Sequence, residues 1–177
     1  MIWLKAWKRL KTRKVRFIVT MIKIKEIQNP SEKSTICNNI LRALPNWFGH
    51  EASIVDYTDK VKEMPFYAAF DSDKVVGFIA LKTHNIHTSE VCVMGILEDY
   101  HRQGIGKILI EHCESYCRRH KIEFLTVKTL DESAESISYQ KTRQFYLSVG
   151  FKPLEVFPLH WDADNPCLFM VKHIKMV

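Results

Sequence analysis

The stretch that most constrains this chain is a strand-like segment followed by a glycine-containing loop and a helix, all within residues 90–120. Val91–Leu97 is apolar and rich in β-branched residues, which favours a buried strand. After a short polar bend comes the loop Arg102–Lys107 (RQGIGK), and apolar residues then recur at helical spacing from Ile105 to Tyr116. We therefore predict a strand, a tight loop and a helix N-terminus in direct succession.

This succession suits the binding of an anion. The amides of the loop and of the first helical turn lack partners within the helix, and the helix dipole favours negative charge there. Gly104 and Gly106 would let a diphosphate lie against the backbone, from which a Cβ would hold it away. A G-x-G alone also occurs in ordinary turns that cap helices. Two common nucleotide motifs, G-x-x-x-x-G-K-[ST] and G-x-G-x-x-G with a downstream acid, are excluded.

The order of the remaining segments predicts the fold class. From Lys23 onward the chain reads strand, two helices, three strands, helix, strand, helix and two strands. Hairpin turns join some strands and helices join others, so we predict one α/β (α+β) domain with a mixed, mostly antiparallel sheet of about seven strands and about four helices. We expect the first helix to span about Glu32–Leu44 with Ser31 as its N-cap, and the last helix, Tyr139–Val149, to end at Gly150.

Charge is concentrated at one end of the chain. Residues 1–20 contain seven Lys or Arg and no acid, so subtracting +7 from the total of +6 leaves −1 for residues 21–177. A near-neutral body argues against nucleic-acid binding. The basic segment could bind a membrane surface or nucleic acid, serve as a presequence, or precede a natural start at Met21. We favour the last interpretation, since Met21 opens a clean first strand. No apolar run approaches the roughly 20 residues that cross a bilayer, so we expect no stable membrane association.

The five cysteines predict a reducing environment. Their number is odd and their spacing forms no disulfide framework, which favours free thiols in the cytoplasm. Cys113, Cys117 and His120 share one helix face, but no second ligand cluster completes a tetrahedral set. We therefore predict core packing and no metal.

Two stretches together resemble the GNAT superfamily of acyl-CoA-dependent N-acetyltransferases. One is the strand–loop–helix segment, and the other is the helix ending SYQKTRQFYLSVGF at residues 138–151. The resemblance implies a GNAT domain over residues 21–177, with residues 1–20 as a basic extension. It also implies a sheet that splays between its fourth and fifth strands, with the pantetheine arm of acetyl-CoA in the gap.

The resemblance implies a set of acetyl-CoA-binding residues. The family's Q/R-x-x-G-x-G/A loop maps onto residues 101–106, with His101 in place of Gln or Arg. The implied residues comprise two positions of the central strand and the loop itself: Met94, Ile96, Arg102, Gln103, Gly104, Ile105, Gly106 and Lys107.

The resemblance also implies two catalytic residues. An ammonium with a pKa near 10 must lose a proton before its nitrogen can attack, and the leaving thiolate benefits from gaining one. Glu90, fourteen residues before Gly104, takes the position of the base, and Tyr146 takes that of the acid. Two other interpretations stay open, namely that Glu90 is an exposed or positioning carboxylate and that Tyr146 is a core aromatic.

The acceptor is weakly encoded. Trp47 and Phe48 lie in the break between the first two helices and could plug the end of the core or line the acceptor cleft. The acids Asp162 and Asp164 beside Trp161, and Glu51 beside Trp47 and Phe48, could form an acidic, aromatic rim or could be solvated loop residues. We expect acetyl transfer from acetyl-CoA to a primary amine of a small cationic molecule, by direct attack in a ternary complex. A protein or peptide amine, a catalytically inactive CoA-binding module and a homodimer remain open.

Overall fold

The computed structural model describes residues 22–176, and the basic extension predicted at residues 1–20 lies outside them. Seven strands form one sheet in the order β1-β2-β3-β4-β5-β7-β6. In chain order the elements are β1 (Lys23–Glu26), α1 (Pro30–Arg42), α2 (Glu51–Lys60), β2 (Phe66–Asp71), β3 (Lys74–Thr83), β4 (Thr88–Ile96), α3 (Ile105–Arg119), β5 (Phe124–Leu130), α4 (Ile137–Ser148), β6 (Lys152–Asp162) and β7 (Asn165–His173). The predicted fold class is confirmed.

The sheet divides between β4 and β5. These strands are parallel and pair over four residues only, Thr88–Val91 with Phe124–Val127. Beyond Val91, β4 continues beside β3 and β5 continues beside β7 as far as Leu130. Cys92 is a bulge residue, since Ala80 lies opposite Val93 and Leu81 opposite Val91, and a bulge bends and twists the strand that carries it. The predicted splay between the fourth and fifth strands is confirmed.

Each face of the sheet carries its own core. Leu109 of α3 and Phe151 belong to the cluster on one face, and Leu41 of α1 and Phe78 of β3 belong to the cluster on the other. A Cβ on Gly95 would lie 2.8 Å from Ile40 Cγ2, so α1 packs directly on the backbone of β4. The sheet is thus sandwiched by α1–α2 and α3–α4, which leaves the gap between β4 and β5 as the route through it.

Two helix starts differ from their predictions. Asn29, not Ser31, caps α1, because its side-chain oxygen accepts from the amides of Ser31 (2.9 Å) and Glu32 (3.1 Å). Pro30 then occupies the first helical position, where its missing N–H costs nothing. α4 begins at Ile137 with Ser136 as its N-cap, two residues earlier than predicted, and ends before Gly150 (φ +94°) as predicted.

The described residues contain neither a membrane-spanning helix nor a cluster of metal ligands. Between residues 22 and 176, no helix has the length and apolarity to span a bilayer. Over the same range, no cluster of three metal-ligating side chains occurs, and Cys113 and Cys117 are buried free thiols.

Candidate active site

The loop before α3 presents open backbone amides. Gly104 has φ +83°, a left-handed conformation that glycine adopts without strain, and a Cβ built there would meet nothing within 4 Å. The amides of residues 102–107 have no hydrogen-bond acceptor among residues 22–176. Because the loop runs directly into the first turn of α3, these N–H groups converge where the helix dipole favours an anion. The loop therefore fits the diphosphate of coenzyme A.

Gly106 is required for a different reason. A Cβ on Gly106 would lie 2.8 Å from Cε2 of Phe145, so the missing side chain lets α4 pack against the first turn of α3. A side chain at position 106 would disturb that packing as well as any bound ligand. Only position 104 therefore allows a clean test of the loop.

The other loop side chains divide between core and solvent. Ile105 is buried, whereas Arg102, Gln103 and Lys107 are exposed. The side-chain amide of Gln103 donates through Nε2 to the backbone carbonyl of Asp99 (2.9 Å). The loop is thus anchored by one apolar side chain, while its polar side chains surround the open amides.

Trp47 joins three parts of the molecule. Its indole N–H donates to Thr142 Oγ1 of α4 (3.0 Å), and its carbonyl accepts from the hydroxyl of Tyr139 (2.9 Å). Its ring meets that of His101 edge to face, with centroids 5.6 Å apart. His101 in turn donates through Nε2 to the carbonyl of Ile96 at the end of β4 (2.7 Å). Trp47 therefore ties the segment between α1 and α2 to both α4 and the loop.

Glu90 lies in a buried, paired position at the point where β4 and β5 separate. It belongs to the last pairs before the separation, opposite Thr126, and only 10% of its side chain is exposed. Oε2 of Glu90 lies 2.7 Å from Lys128 Nζ and 2.6 Å from His84 Nε2. Lys128 is the first β5 residue beyond the paired stretch. The two donors compensate a carboxylate that would be costly to bury alone.

The three members of this cluster differ in their access to solvent. The side chain of Lys128 is 25% exposed and that of His84 is 33% exposed. Both contacts of Glu90 use Oε2, and Oε1 makes no hydrogen bond within residues 22–176. One carboxylate oxygen is thus held by the protein, and the other remains available to a ligand or to water.

Tyr146 is buried where the helices α3 and α4 meet the sheet. Its ring packs against those of Phe145 and Phe151, with centroids 5.2 and 5.4 Å away. Burial above all, and then the neighbouring Tyr139, raises the pKa of the Tyr146 phenol well above its usual range. Its hydroxyl makes no hydrogen bond to any other group in the described part of the chain. Tyr146 therefore offers a protonated hydroxyl that is free to donate.

Tyr57 of α2 lies close enough to Cys92, Tyr139 and Glu90 for their charges to act on its phenol. Burial raises the pKa of the Tyr57 phenol most, and the charges of Cys92, Tyr139 and Glu90 raise it further. Tyr57 also packs edge to face against Phe48, with ring centroids 6.3 Å apart. Phe48 thus lies against α2, on the same side of the sheet as the Glu90 cluster.

Trp161 and Asp162 lie at the other end of the splay. The turn between β6 and β7 follows the end of β5, because Leu130 pairs with Cys167 and the Asp131 amide donates to the carbonyl of Pro166 (2.9 Å). The side chain of Trp161 is largely exposed. Oδ1 of Asp162 accepts from the Asp164 amide and the Asn165 side chain, both neutral donors. Its negative charge has no cationic partner within residues 22–176.

One acidic residue of the predicted rim, Glu51, is neutralised by an ion pair. Glu51, which stands near Trp47 and Phe48 in the sequence, forms a two-point ion pair with Arg42 at 2.6 and 2.8 Å. Trp47 contacts α4 and the loop, and Phe48 contacts α2, as described above. Both residues are distant from the β6–β7 turn in the sequence. The acidic character of the rim therefore depends on Asp162 and its neighbour Asp164.

Two residues of the Glu90 cluster were missed by sequence reasoning. His84 fits no ligand pattern, and Lys128 is one polar residue in an alternating strand. The alternation of Leu125 and Val127 with Thr126 and Lys128 indicates that Lys128 lies on the opposite face from the buried pair. The alternation does not indicate that Lys128 contacts Glu90, since the register between two parallel strands cannot be deduced from the sequence of either strand alone.

Comparisons with known proteins agree with this geometry. A model of the acetyltransferase (GNAT) family matches residues 34–151. Among curated proteins, the chain is 26% identical over 112 residues to the uncharacterized N-acetyltransferase YsnE of Bacillus subtilis (strain 168), covering 63% of this chain and 71% of the relative.

Two solved structures share the fold. A putative GNAT acetyltransferase of Desulfovibrio desulfuricans superposes with a TM-score of 0.75 at 13% identity, over 88% of this chain and 100% of the other. An aminoglycoside 6′-N-acetyltransferase solved in complex with coenzyme A gives a TM-score of 0.69 at 20% identity, over 88% and 98%. At these identities the likeness concerns the fold alone.

Proposed function

This chain belongs to the acetyltransferase (GNAT) family, and from that premise we propose that it transfers the acetyl group of acetyl-CoA to a primary amine of a small cationic molecule. The observation that carries the proposal is the separation of β4 from β5 after Val91, with the open amides of residues 102–107 at its end. Such a gap can receive an extended thioester arm between two strands, while the amides receive a diphosphate.

In this proposal the backbone binds and orients acetyl-CoA, which supplies the activated thioester. Past Val91 the strand β4 has no partner on its β5 side, so the backbone groups of Cys92–Ile96 that face the gap lack ladder bonds. The pantetheine arm would form hydrogen bonds with the backbone of Met94 and with the N–H of Ile96, whose carbonyl already accepts from His101 Nε2. An N–H of Met94 aimed at the thioester carbonyl would stabilise the negative charge that develops on its oxygen.

Tyr146 would act as the general acid. Its hydroxyl has no protein acceptor within residues 22–176, and burial keeps it protonated because the neutral phenol is the form that a dry environment favours. A protonated, unengaged donor next to a departing thiolate supplies the proton that the sulfur needs.

Glu90 would accept the proton of the attacking ammonium, directly or through a water. The free Oε1 is available to the acceptor, while Lys128 and His84 hold Oε2. Since His84 is one-third exposed, it offers the proton a route from the buried carboxylate to solvent. Proton removal is required because an ammonium has no lone pair with which to attack.

The preference for a cationic acceptor rests on the β6–β7 turn. Asp162 and the exposed ring of Trp161 lie beyond the end of β5, where the gap opens, and the charge of Asp162 is not neutralised by a described cation. An uncompensated carboxylate beside an aromatic face attracts cations by charge and by cation–π interaction.

The proposal is tested by measuring thiol release from acetyl-CoA in the presence of a panel of amines. The panel should contain polyamines, aminoglycosides, peptides with free N-termini and neutral primary amines of similar size. We expect the highest kcat/KM with the small polycations, and the acetylated nitrogen should be a primary amine. A clear preference for peptides would replace the small-molecule acceptor with a peptide, and binding of acetyl-CoA without thiol release on any amine would point to an inactive CoA-binding module.

A further inference from the structure

An amine already occupies the carboxylate that the proposed reaction needs. Lys128 Nζ donates to Glu90 Oε2 at 2.7 Å, and Lys128 is the first residue of β5 beyond the paired stretch with β4. Its ammonium thus lies next to the candidate base, at the closed end of the gap where β4 and β5 separate. We call this end, formed by Glu90, Lys128 and His84, the floor of the gap. An acceptor amine would have to reach the same carboxylate, at its free Oε1.

We propose that Lys128 is an acetylation site of the protein itself, modified by acetyl-CoA bound in its own β4–β5 gap. The inference rests on the proposed function, since it requires the thioester to lie between these strands. It goes beyond that function because the acceptor is a side chain of this chain and the product is a covalently modified protein.

The chemistry is that of ordinary acetyl transfer. The Lys128 ammonium gives a proton to Glu90, and its nitrogen lone pair forms a C–N bond with the acetyl carbonyl carbon. The C–S bond of the thioester breaks, its electron pair leaves with sulfur, and Tyr146 supplies the proton that makes the free thiol. Two protons therefore leave the nitrogen. The first passes from Glu90 through His84 to solvent, and the second, lost to solvent as the amide forms, balances the proton that Tyr146 takes back from solvent, so one proton is released for each acetyl group transferred. No oxidant, reductant or further reactant is needed.

Lys128 is less exposed than two other lysines that are paired with carboxylates. Lys60 and Lys62 also form ion pairs with carboxylates, at 2.6 Å to Asp56 and 2.8 Å to Asp59. Their side chains are 55% and 42% exposed, compared with 25% for Lys128. Uncatalysed acetylation in solution would favour the more exposed lysines, so preferential modification of Lys128 would have to come from its place in the gap.

Acetylation would change the charge of the Glu90 cluster. The ion pair across β4 and β5 would become a neutral amide beside a carboxylate, so Glu90 would lose the charge of Lys128 and keep, from it, at most one neutral N–H donor beside His84. The ring of Phe169, whose centroid is 5.8 Å from Lys128 Nζ, offers apolar surface next to the acetyl methyl.

The test is to incubate the full chain with acetyl-CoA, without an amine, and to follow its mass by intact mass spectrometry and peptide mapping. We expect one acetyl group per chain on Lys128, acquired at least about tenfold faster than on Lys60 or Lys62. Lys128→Arg keeps a cation beside Glu90 and should abolish this modification. Glu90→Gln keeps Lys128 and should slow it by about 10² or more, the usual contribution of a placed base.

Three controls make the result decisive. Chain unfolded in urea should lose the preference for Lys128, and the rate constant in the folded protein should not depend on protein concentration. Thermal melting of both variants shows whether each is folded.

An unmodified Lys128, or a Lys128 that reacts no faster than Lys60 and Lys62, overturns the proposal. Thiol release in the amine panel then separates the two failures. Turnover on an external amine with an unmodified Lys128 leaves the proposed function intact, whereas no turnover on any acceptor removes both.

Discussion

The two ends of the β4–β5 gap present different kinds of chemical groups to a ligand. At the loop before α3, the groups that face a ligand are backbone amides of residues 102–107, and the side chains there are absent, buried in the core or directed to solvent. At the floor of the gap, the groups are the side chains of Glu90, Lys128 and His84, which come from two strands and the turn between β3 and β4.

The difference determines how each side responds to substitution. Backbone amides remain when a side chain is exchanged, so the loop is sensitive mainly to added bulk or charge. A buried ion pair is sensitive to the loss of either partner, because the remaining charge is then uncompensated. The candidate acid, Tyr146, resembles the floor because its proposed role depends on a single side-chain group.

Removing the Tyr146 hydroxyl should produce the largest effect. It tests most directly whether one side-chain group matters more than the backbone amides of the loop. Tyr146→Phe keeps the ring between Phe145 and Phe151, so packing and acetyl-CoA affinity should persist, while kcat falls roughly 10²- to 10⁴-fold. Because burial raises the pKa of Tyr146, this phenol should cause no loss of activity up to the ordinary tyrosine pKa of about 10.

The matched control for this variant is Tyr116→Phe. Tyr116 stacks on His120 at the end of α3, remote from the gap in the fold, and its loss of a hydroxyl should leave turnover unchanged. A Tyr146→Phe enzyme with normal kcat would show that the acid is another group or solvent.

The charge of Glu90 should matter next, and its effect should depend on pH. Glu90→Gln should lower kcat/KM by about 10² near neutral pH and recover part of it at high pH, where the acceptor amine loses its proton to solvent. Glu123→Gln is the control, since Glu123 also bonds a histidine, His87, at 2.7 Å but is exposed. A defect of Glu90→Gln that is constant across the pH–rate profile would mean that Glu90 positions groups and removes no proton.

The loop should respond to charge rather than to side-chain shape. Gly104→Asp and Gly104→Asn impose the same bulk and the same strain at φ +83°, and only the first adds a negative charge at the open amides. We expect calorimetry to show acetyl-CoA binding weakened at least about 30-fold more by Asp than by Asn, as expected for like charges brought together. Equal affinities in the two variants would place the diphosphate elsewhere.

The smallest effect should come from the rim. Asp162→Asn retains the Oδ1 that accepts from Asp164 and Asn165, and removes only the charge. KM for a polycationic amine should rise by roughly three- to tenfold at low salt, and the difference should shrink as salt is added. Asp73→Asn, in the turn between β2 and β3, is the control. A KM that does not change, or that changes equally for a neutral amine, would remove Asp162 from acceptor recognition.

The sequence alone determined the local part of this architecture. The apolar run Val91–Leu97, the glycine at position 104 and the helical spacing after Ile105 are local signals. The strand Thr88–Ile96 overlaps the first signal, and α3 begins at Ile105 as the last one predicts. The end of α4 at Gly150 follows in the same way, because a left-handed residue after a helix is a property of a few consecutive residues. Even the error at Ser31 is local, since Asn29 and Ser31 compete for the same cap.

The tertiary structure decided the floor of the gap. Glu90 and Lys128 are 38 residues apart in the chain, and their contact depends on the register in which β4 meets β5. Alternation within a strand indicates which face a residue occupies, but a shift of register moves every cross-strand partner without changing that alternation. In the observed register Val91 lies opposite Val127, and both are buried in one core. This register brings the candidate base to a lysine of the same chain, a contact that neither strand encodes by itself.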